Sequence, residues 1–446
     1  MTPDAILVLL IFIISFVLIL GEYVHRTLAA WGGALLMLAV GKIYGTLDWC
    51  SGHGSQDCNN NLFTAIDFNV IGLLMGMMVF AAMLEISGFF EFLAVKATKL
   101  SKGDPWMLIV YLGTFTTLIS VVIDNVTAII LIAPITIKIC DKIKISAIPP
   151  LIAEAILSDT GGVATLVGDP PNVMIASATG FTFNSFIEHL TPLTFFAWVI
   201  TLGYMRYYYR DWIKTKPKHV EDVLAENEWD MIRDRTMMNR TLMALAGTIV
   251  LFSLHELLHL DLEISAIALG GAGLAMMLCL PEVNEVIERI EWPALIFFGG
   301  LFVMVGGLEH MGHLEAIAFW IFDNFADDPV MLAVMVIWVS AFSSAIVDNI
   351  PFCAAMIPVI YKLGELSEEI NTVPLFWALA MGCGFGGNAT PIGSSANVMT
   401  VSISERGGHK ITTKEWMRVG LPVMLITCVV ATIFMYLFYD TLYVYP

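Results

Sequence analysis

Charge is scarce in this 446-residue chain, and basic charge is scarcest: 14% of residues are charged, and 22 Lys and Arg stand against 40 Asp and Glu. A basic face for a phosphate backbone is excluded, so no nucleic-acid partner is expected. The seven cysteines are scattered, and their spacing is not that of a metal site. No nucleophile–base pair and no ligand set for a metal or cofactor is evident, which argues against an enzyme. The first apolar segment, Ile6 to Leu20, lacks a basic leader and a small-residue cleavage site, so it reads as a retained span. No segment has the composition of a separate soluble domain.

What is abundant is apolar surface. Apolar residues make up 58% of the chain and mean hydropathy is +0.79, against about 45–50% apolar in soluble domains. Many runs approach the ~20 residues needed to cross a bilayer. The chain therefore reads as an all-α polytopic membrane protein with the lipid bilayer as its first partner.

The few basic residues cluster: Lys96, Lys99 and Lys102; Lys138, Lys142 and Lys144; Arg206 to Arg240; Arg406 to Arg418. Acidic or neutral segments separate them. Placing the basic clusters in the cytoplasm gives one self-consistent topology in a plasma (inner) membrane, with both termini external. Cys50 and Cys58 then flank an outward loop, where a disulfide and two free thiols are both open readings.

The chain repeats itself. Ile66-Asp67-Phe68 returns as Ile290-Glu291-Trp292, and Gly76, Gly88, Asp124-Asn125 and Pro134 return as Gly300, Gly312, Asp348-Asn349 and Pro358, all at an offset of 224. Gly161-Gly162, Thr165, Gly168 and Asn172 return as Gly386-Gly387, Thr390, Gly393 and Asn397 at 225. Each copy reads as three spans, an amphipathic stretch, an apolar hairpin broken by Asp-Asn, a helix interrupted by glycines, and a last span. If the hairpin is re-entrant, each copy crosses five times. Five is odd, so the second copy is inverted. The expected architecture is two inverted-topology repeats with about 10 transmembrane helices and two hairpins. Residues 1–210 form the first repeat, 211–240 a cytoplasmic linker and 241–446 the second repeat.

Backbone that leaves the helix at membrane depth must be buried in protein or face a water-filled cavity. The hairpin tips and interrupted helices are four such places, and their helix N-termini and free carbonyls can bind a small solute and a cation. The substrate-binding candidates are Asn125, Thr127, Gly161, Gly162, Thr165, Asn172, Asn349, Gly386, Gly387, Asn388, Thr390, Ser394 and Asn397. They supply donors, acceptors and close backbone approach without net charge. Asp124, Asp348 and Asp169 are candidates for proton or cation coupling, since a carboxylate at bilayer depth is costly. Asp124 and Asp348 can alternatively be permanent helix caps. Asp169 and Asp159 face Ser394 and Gly384 in the repeat, so the first copy carries extra acid. Asp169 either holds a coupling ion or pairs with a Lys or Arg at the cytoplasmic mouth. The histidines at 255, 259, 310 and 313 read as external surface pairs.

These motifs resemble the ion transporter superfamily, in the branch of arsenite permeases, sodium/proton antiporters and the melanosomal P-protein. The resembling segments are Val24-His25-Arg26-Thr27-Leu28, Asp124-Asn125-Val126-Thr127, Gly168-Asp169-Pro170-Pro171-Asn172, Asp348-Asn349-Ile350-Pro351 and Gly386-Gly387-Asn388-Ala389-Thr390 with Gly393-Ser394-Ser395. The resemblance implies secondary transport, with solute held between hairpin tips and broken helices. Related dicarboxylate carriers have Ser-Asn-Thr at the tips. Acids in that place argue against an anionic dicarboxylate and suit a neutral solute, a cation or a proton. The expected function is efflux of a small inorganic solute, arsenite or antimonite, by alternating access in exchange for protons; the alternative is sodium/proton antiport. The arsenite-permease likeness also allows a cytoplasmic ATPase partner.

Overall fold

A computed structural model describes residues 2–20, 24–44, 65–225, 227–258, 262–325, 328–367 and 370–440. Cys50, Cys58 and His259 lie outside the described residues. The described residues are helical, with no strand among them. The first series is α1 (Pro3–Leu20), α2 (Arg26–Tyr44), α3 (Phe68–Ser87), α4 (Phe89–Ser101), α5 (Pro105–Ser120), α6 (Asn125–Lys142), α7 (Ile148–Gly162), α8 (Pro170–Thr179) and α9 (Phe183–Tyr208). A connector follows, with short turns at Trp212–Lys214 and Glu228–Met231 around α10 (Val220–Leu224). The second series is α11 (Arg235–Leu257), α12 (Ile264–Cys279), α13 (Val283–Glu288), α14 (Trp292–His310), α15 (His313–Phe325), α16 (Pro329–Ile346), α17 (Asn349–Leu366), α18 (Val373–Gly387), α19 (Ser395–Arg406) and α20 (Thr413–Phe438).

Seven of these helices are long and apolar enough to cross a bilayer: α2, α3, α9, α11, α14, α16 and α20. Four shorter apolar stretches, in α1, α5, α12 and α18, add to them. The outer faces of the bundle carry Phe195, Phe196 and Ile200 on α9, Met277 on α12, and Ile433 and Leu437 on α20, all exposed. Apolar faces of that extent are stable only against lipid. Beneath them, α3 is the most enclosed span, 78% buried.

The fold is an inverted repeat of the expected kind. α9 and α20 close the two series and run antiparallel. The Tyr204 hydroxyl near the end of α9 donates to the Arg418 carbonyl near the start of α20 at 3.2 Å. Phe196 packs on Phe434 with ring centroids 5.7 Å apart. Contacts are exchanged between the series: α3 packs on α12 as α14 packs on α2, and α6 packs on α19 as α17 packs on α8. The repeated glycines mark the first exchange. A Cβ on Gly76 would lie 2.8 Å from the Ala268 carbonyl carbon, and one on Gly300 would lie 3.0 Å from Trp31 N. Small residues let spans approach where no hydrophobic drive separates them from lipid. Gly88 and Gly312, φ +84° and +72°, turn the chain from the third span into the amphipathic helix in each series.

The connector is docked. Lys218 N donates to Ile143 O at 2.8 Å and Arg233 N to Ser87 O at 2.9 Å. Lys99 on α4 meets Glu228 at 2.6 Å, and Trp229 packs on Phe92 at 4.8 Å. The Lys99 ammonium, hydrogen-bonded to Glu228, holds that half-buried carboxyl below its ordinary range.

Candidate functional site

Each hairpin turns at its Asp-Asn pair, at the N-terminus of its second helix, and each interrupted helix unwinds next to it. The four breaks converge. All the candidate side chains at the centre are buried or nearly so.

Both breaks are tied by the same device. The Asn172 amide donates to Thr165 O at 2.8 Å and Val163 O at 3.2 Å. Its twin Asn397 donates to Gly387 O at 2.8 Å and Thr390 O at 3.1 Å. Thr165 and Thr390 each donate at 2.6 Å to the hairpin, at Val121 O and Ala345 O. Unwinding frees backbone carbonyls, and these side chains satisfy them. The glycines work by proximity: a Cβ on Gly162 would lie 2.6 Å from Gly168 O, one on Gly387 3.0 Å from Gly393 O, and one on Gly386 2.5 Å from Ala341 Cα. A Cβ on Gly161 would lie 2.2 Å from the Thr117 side chain. The expectation that these residues line a solute path is thereby narrowed. The amide donors of Asn172 and Asn397 and the hydroxyls of Thr165 and Thr390 are already engaged. The side-chain oxygens of Asn172, Asn388 and Asn397 have no protein partner.

The two tip aspartates differ. Asp124 caps α6, accepting from Thr127 N at 2.9 Å and from the Thr127 hydroxyl at 2.6 Å. Asp348 makes no side-chain cap to α17. The residue three on is Pro351, which has no N–H to give. Asp348 instead accepts from Ser395 at 2.7 Å, and Arg26 donates to the same Ser395 hydroxyl at 2.6 Å. The Arg26 guanidinium lies 3.8 Å from Asp348. The cap reading thus holds for Asp124 and not for Asp348. The signal was in the repeat itself, where Thr127 is matched by Pro351.

Asp169 has no Lys or Arg partner among the described residues. It accepts from Asn349 at 3.1 and 3.2 Å and from Asn125 at 3.4 Å. The amides of both hairpin tips therefore meet on one carboxylate from the first broken helix. Asn125 also donates to Asp159 at 2.9 Å, and Ser394 donates to Asp159 at 3.2 Å. Asp159 belongs to this centre, although it is not among the coupling candidates read from sequence. Asn388 reaches across to the Thr160 hydroxyl at 3.1 Å. Cys383 lies against Cys353, and the Cys353 thiol faces Pro171 O at 3.7 Å.

Two cavities lie at opposite ends of α8. One, of about 20 Å³, touches Asp124, Arg26, Glu291, Ser395 and Pro170, and has room for about one water. The other, about 160 Å³, is bordered by Ser177, Thr182, Asn69, Ser265 and His255. His313 corrects the expectation of an external surface pair: it is buried, with Nε2 2.8 Å from Ala5 O. No cluster of three or more metal-ligating side chains occurs among the described residues.

Comparison with known proteins bears on this centre. The family described as citrate transporter matches residues 10–382, and the chain belongs to it. It is similar to a 46 kDa membrane protein of Mycobacterium leprae, 35% identical over 98% of this chain and 99% of that one. It is also similar to the uncharacterized transporter Rv2684 of Mycobacterium tuberculosis, 36% identical over 97% of this chain and 98% of that one. The human P protein is 30% identical over 93% of this chain, which spans 58% of that protein. Among solved structures, the Alcanivorax borkumensis YdaH transporter shares the fold, with TM-score 0.58 at 14% identity over 93% of this chain and 98% of that one. Neisseria gonorrhoeae MtrF, described as illuminating a class of antimetabolite efflux pumps, gives 0.56 at 14% identity over 90% and 83%. The chain is a membrane transporter of the ion transporter superfamily, and not an enzyme.

Proposed function

We propose that this member of the citrate transporter family exports a small uncharged oxyacid, arsenite or antimonite, in exchange for protons, by alternating access. The observation that carries this reading is the charge at the centre. Asp124, Asp159, Asp169 and Asp348 are all buried there, and the cation beside them, Arg26, is engaged by Ser395 and Asp348. A citrate trianion would meet four carboxylates in a weakly screening interior. Arsenous acid is neutral near pH 7 and needs hydroxyl-sized donors and acceptors. The unpaired side-chain oxygens of Asn125, Asn172, Asn388 and Asn397 would accept from its hydroxyls. Asp169 and Asp348 carry the coupling charge in this reading, and Asp124 stays a cap.

The solute would sit between the hairpin tips and the breaks. The first and second repeats, 1–210 and 241–446, would rock around it, with segment 211–240 and the basic clusters in the cytoplasm and both termini outside. Everted membrane vesicles test the function. Arsenite uptake driven by an imposed proton gradient is expected, and its absence overturns the reading. Sodium/proton antiport is the second reading, favoured by the paired acids Asp159 and Asp169. It requires sodium or lithium to dissipate a vesicle pH gradient, and insensitivity to both removes it.

A further inference from the structure

The two acids that the repeat does not share lie together at its centre. Asp159 on α7 and Asp169 at the start of α8 each keep 1% of their surface exposed. A single amide nitrogen, Asn125 Nδ2, donates to Asp159 at 2.9 Å and to Asp169 at 3.4 Å. Ser394 from the second series holds Asp159, and Asn349 from the second hairpin holds Asp169. Gly384 packs against Asp169, where a Cβ would lie 3.3 Å from Oδ2.

The exchange of contacts explains this placement. The repeat pairs Asp159 with Gly384 and Asp169 with Ser394. The contact Asp159–Ser394 is therefore the symmetry mate of Gly384–Asp169. Each of the two equivalent positions holds one acid, and both acids come from the first copy.

Two acceptor atoms in this cluster lack partners. Asp159 Oδ2 and Asn125 Oδ1 are fully buried and receive no hydrogen bond from the protein. They belong to the same carboxylate and amide that already share the Asn125 donor. Other ionisable groups at the centre do not help. Asp348 at the second hairpin tip adds negative charge near both acids, and the thiol of Cys383 lies near Asp169. None brings positive charge, and Arg26 is held at Ser395 and Asp348. Two adjacent buried carboxylates cannot both stay ionised without a compensating charge. Water would pair the free acceptors but would not neutralise them.

We propose that Asp159 and Asp169, bridged by Asn125 and closed by Ser394 and Asn349, form a single site for one exchangeable monovalent cation, a proton or a sodium ion. There is one such site per chain, because the twin residues Gly384 and Ser394 carry no charge. The inference rests on the transporter reading and not on arsenite as the solute.

Infrared difference spectra of the purified full-length protein in lipid, taken across a pH jump, read the site directly. The expected result is a carboxylic-acid carbonyl band that Asp159→Asn and Asp169→Asn each remove, and that Glu309→Gln, far from the centre, retains. A band erased by sodium at constant pH makes sodium a competing occupant, whereas a sodium-insensitive band makes the site proton-only. Either result supports the site. A band unchanged in both Asn variants overturns it. If Asp159→Asn does not fold, Asp169→Ser, which places there the residue found at its twin, gives the same readout. Vesicle flux separates the two readings. Absent arsenite flux with the band present removes only the efflux function. Arsenite flux whose proton dependence survives Asp159→Asn removes only the site.

Discussion

Replacing Asn172 or Asn397 tests whether these amides chiefly hold the breaks open or chiefly hold solute. Asn172 donates to three carbonyls of its unwound segment, at 2.8, 3.2 and 3.5 Å, and Asn397 to two, at 2.8 and 3.1 Å. Alanine removes these bonds and leaves the carbonyls buried. An unsatisfied buried polar group costs roughly 1–3 kcal/mol. Two losses, partly relieved by relaxation, come to about 2–4 kcal/mol, and a small cavity adds to this. Aspartate is the sharper probe. It keeps the shape but turns an acceptor toward carbonyl oxygens, so Asn172→Asp is expected to destabilise more than Asn172→Ala. Thermal unfolding in detergent, followed by a thiol-reactive dye, reads the order wild type, Ala, Asp. The two twins should lose comparable amounts, because their geometry is repeated. Wild-type stability in Asn172→Asp, or a large loss at Asn172 with none at Asn397, would refute the argument that the same tie braces both breaks.

Three further expectations concern neighbouring contacts. Pro351→Thr restores the N–H and hydroxyl that Asp124 uses at Thr127, so Asp348 should swing into a cap; a gain of roughly 0.5–2 kcal/mol in unfolding is expected, with loss of the Arg26–Asp348 contact by spin-label distance between α2 and α17. Unchanged stability together with an unchanged distance contradicts it. Gly386→Ala drives a Cβ to 2.5 Å from Ala341 Cα, backbone that cannot yield cheaply; about 1–3 kcal/mol of overpacking is expected, whereas Gly247→Ala, with open space around its Cβ position, should be silent in the same melt. The Lys99–Glu228 contact should persist on mild acidification: a carboxyl held below its ordinary value contributes above the unfolded pKa of about 4.3 and loses that contribution only as pH falls through the lower folded value. Hydrogen exchange of residues 227–233 should therefore stay slow at pH 5 and quicken in Lys99→Gln already at pH 7, and fast exchange in the wild type at pH 5 argues against docking by this pair.

The repeat made the fold legible because symmetry multiplies a weak signal. A lone Gly76 or Gly162 says little, but a glycine repeated at one offset marks one close approach made twice. The four breaks were visible for the same reason. What the residues could not disclose was which donors were already spent. Counting Asn172, Asn397, Thr165 and Thr390 as solute contacts assumed free hydrogens, whereas unwinding a helix exposes carbonyls that claim them first. Asp159 was visible as an unmatched acid. Its partnership with Asp169 was not, because the two lie on opposite sides of an unwound segment whose path only coordinates give. Pro351 is the opposite case. Its lack of an N–H at the position of Thr127 can be read from the offset alone, and it decides that Asp348 is released to Ser395 and Arg26 while Asp124 stays a cap.

The departures from the repeat are then the informative part of it. Perfect inverted copies would offer a solute and its ion the same site from either side, with two equivalent tips and two equivalent charges. Here the scaffold contacts obey the exchange, as at α3–α12 and α14–α2, while the centre breaks it twice. One tip acid is locked in its cap and the other is tethered through Ser395 to Arg26 on α2. Both central acids come from the first copy. If the centre moves against α2 during transport, the Arg26–Ser395–Asp348 tether is made and broken once per cycle, whereas a capped Asp124 would travel with its helix unchanged. If the scaffold symmetry provides two facing states of similar energy, the Arg26–Ser395–Asp348 contact is what sets their balance. Replacing Arg26 with Gln should then shift that balance, read as altered accessibility of cysteines placed at Ser177 and at Ala294, on the two cavities, without loss of the fold; equal accessibility in both proteins would assign the tether to stability alone.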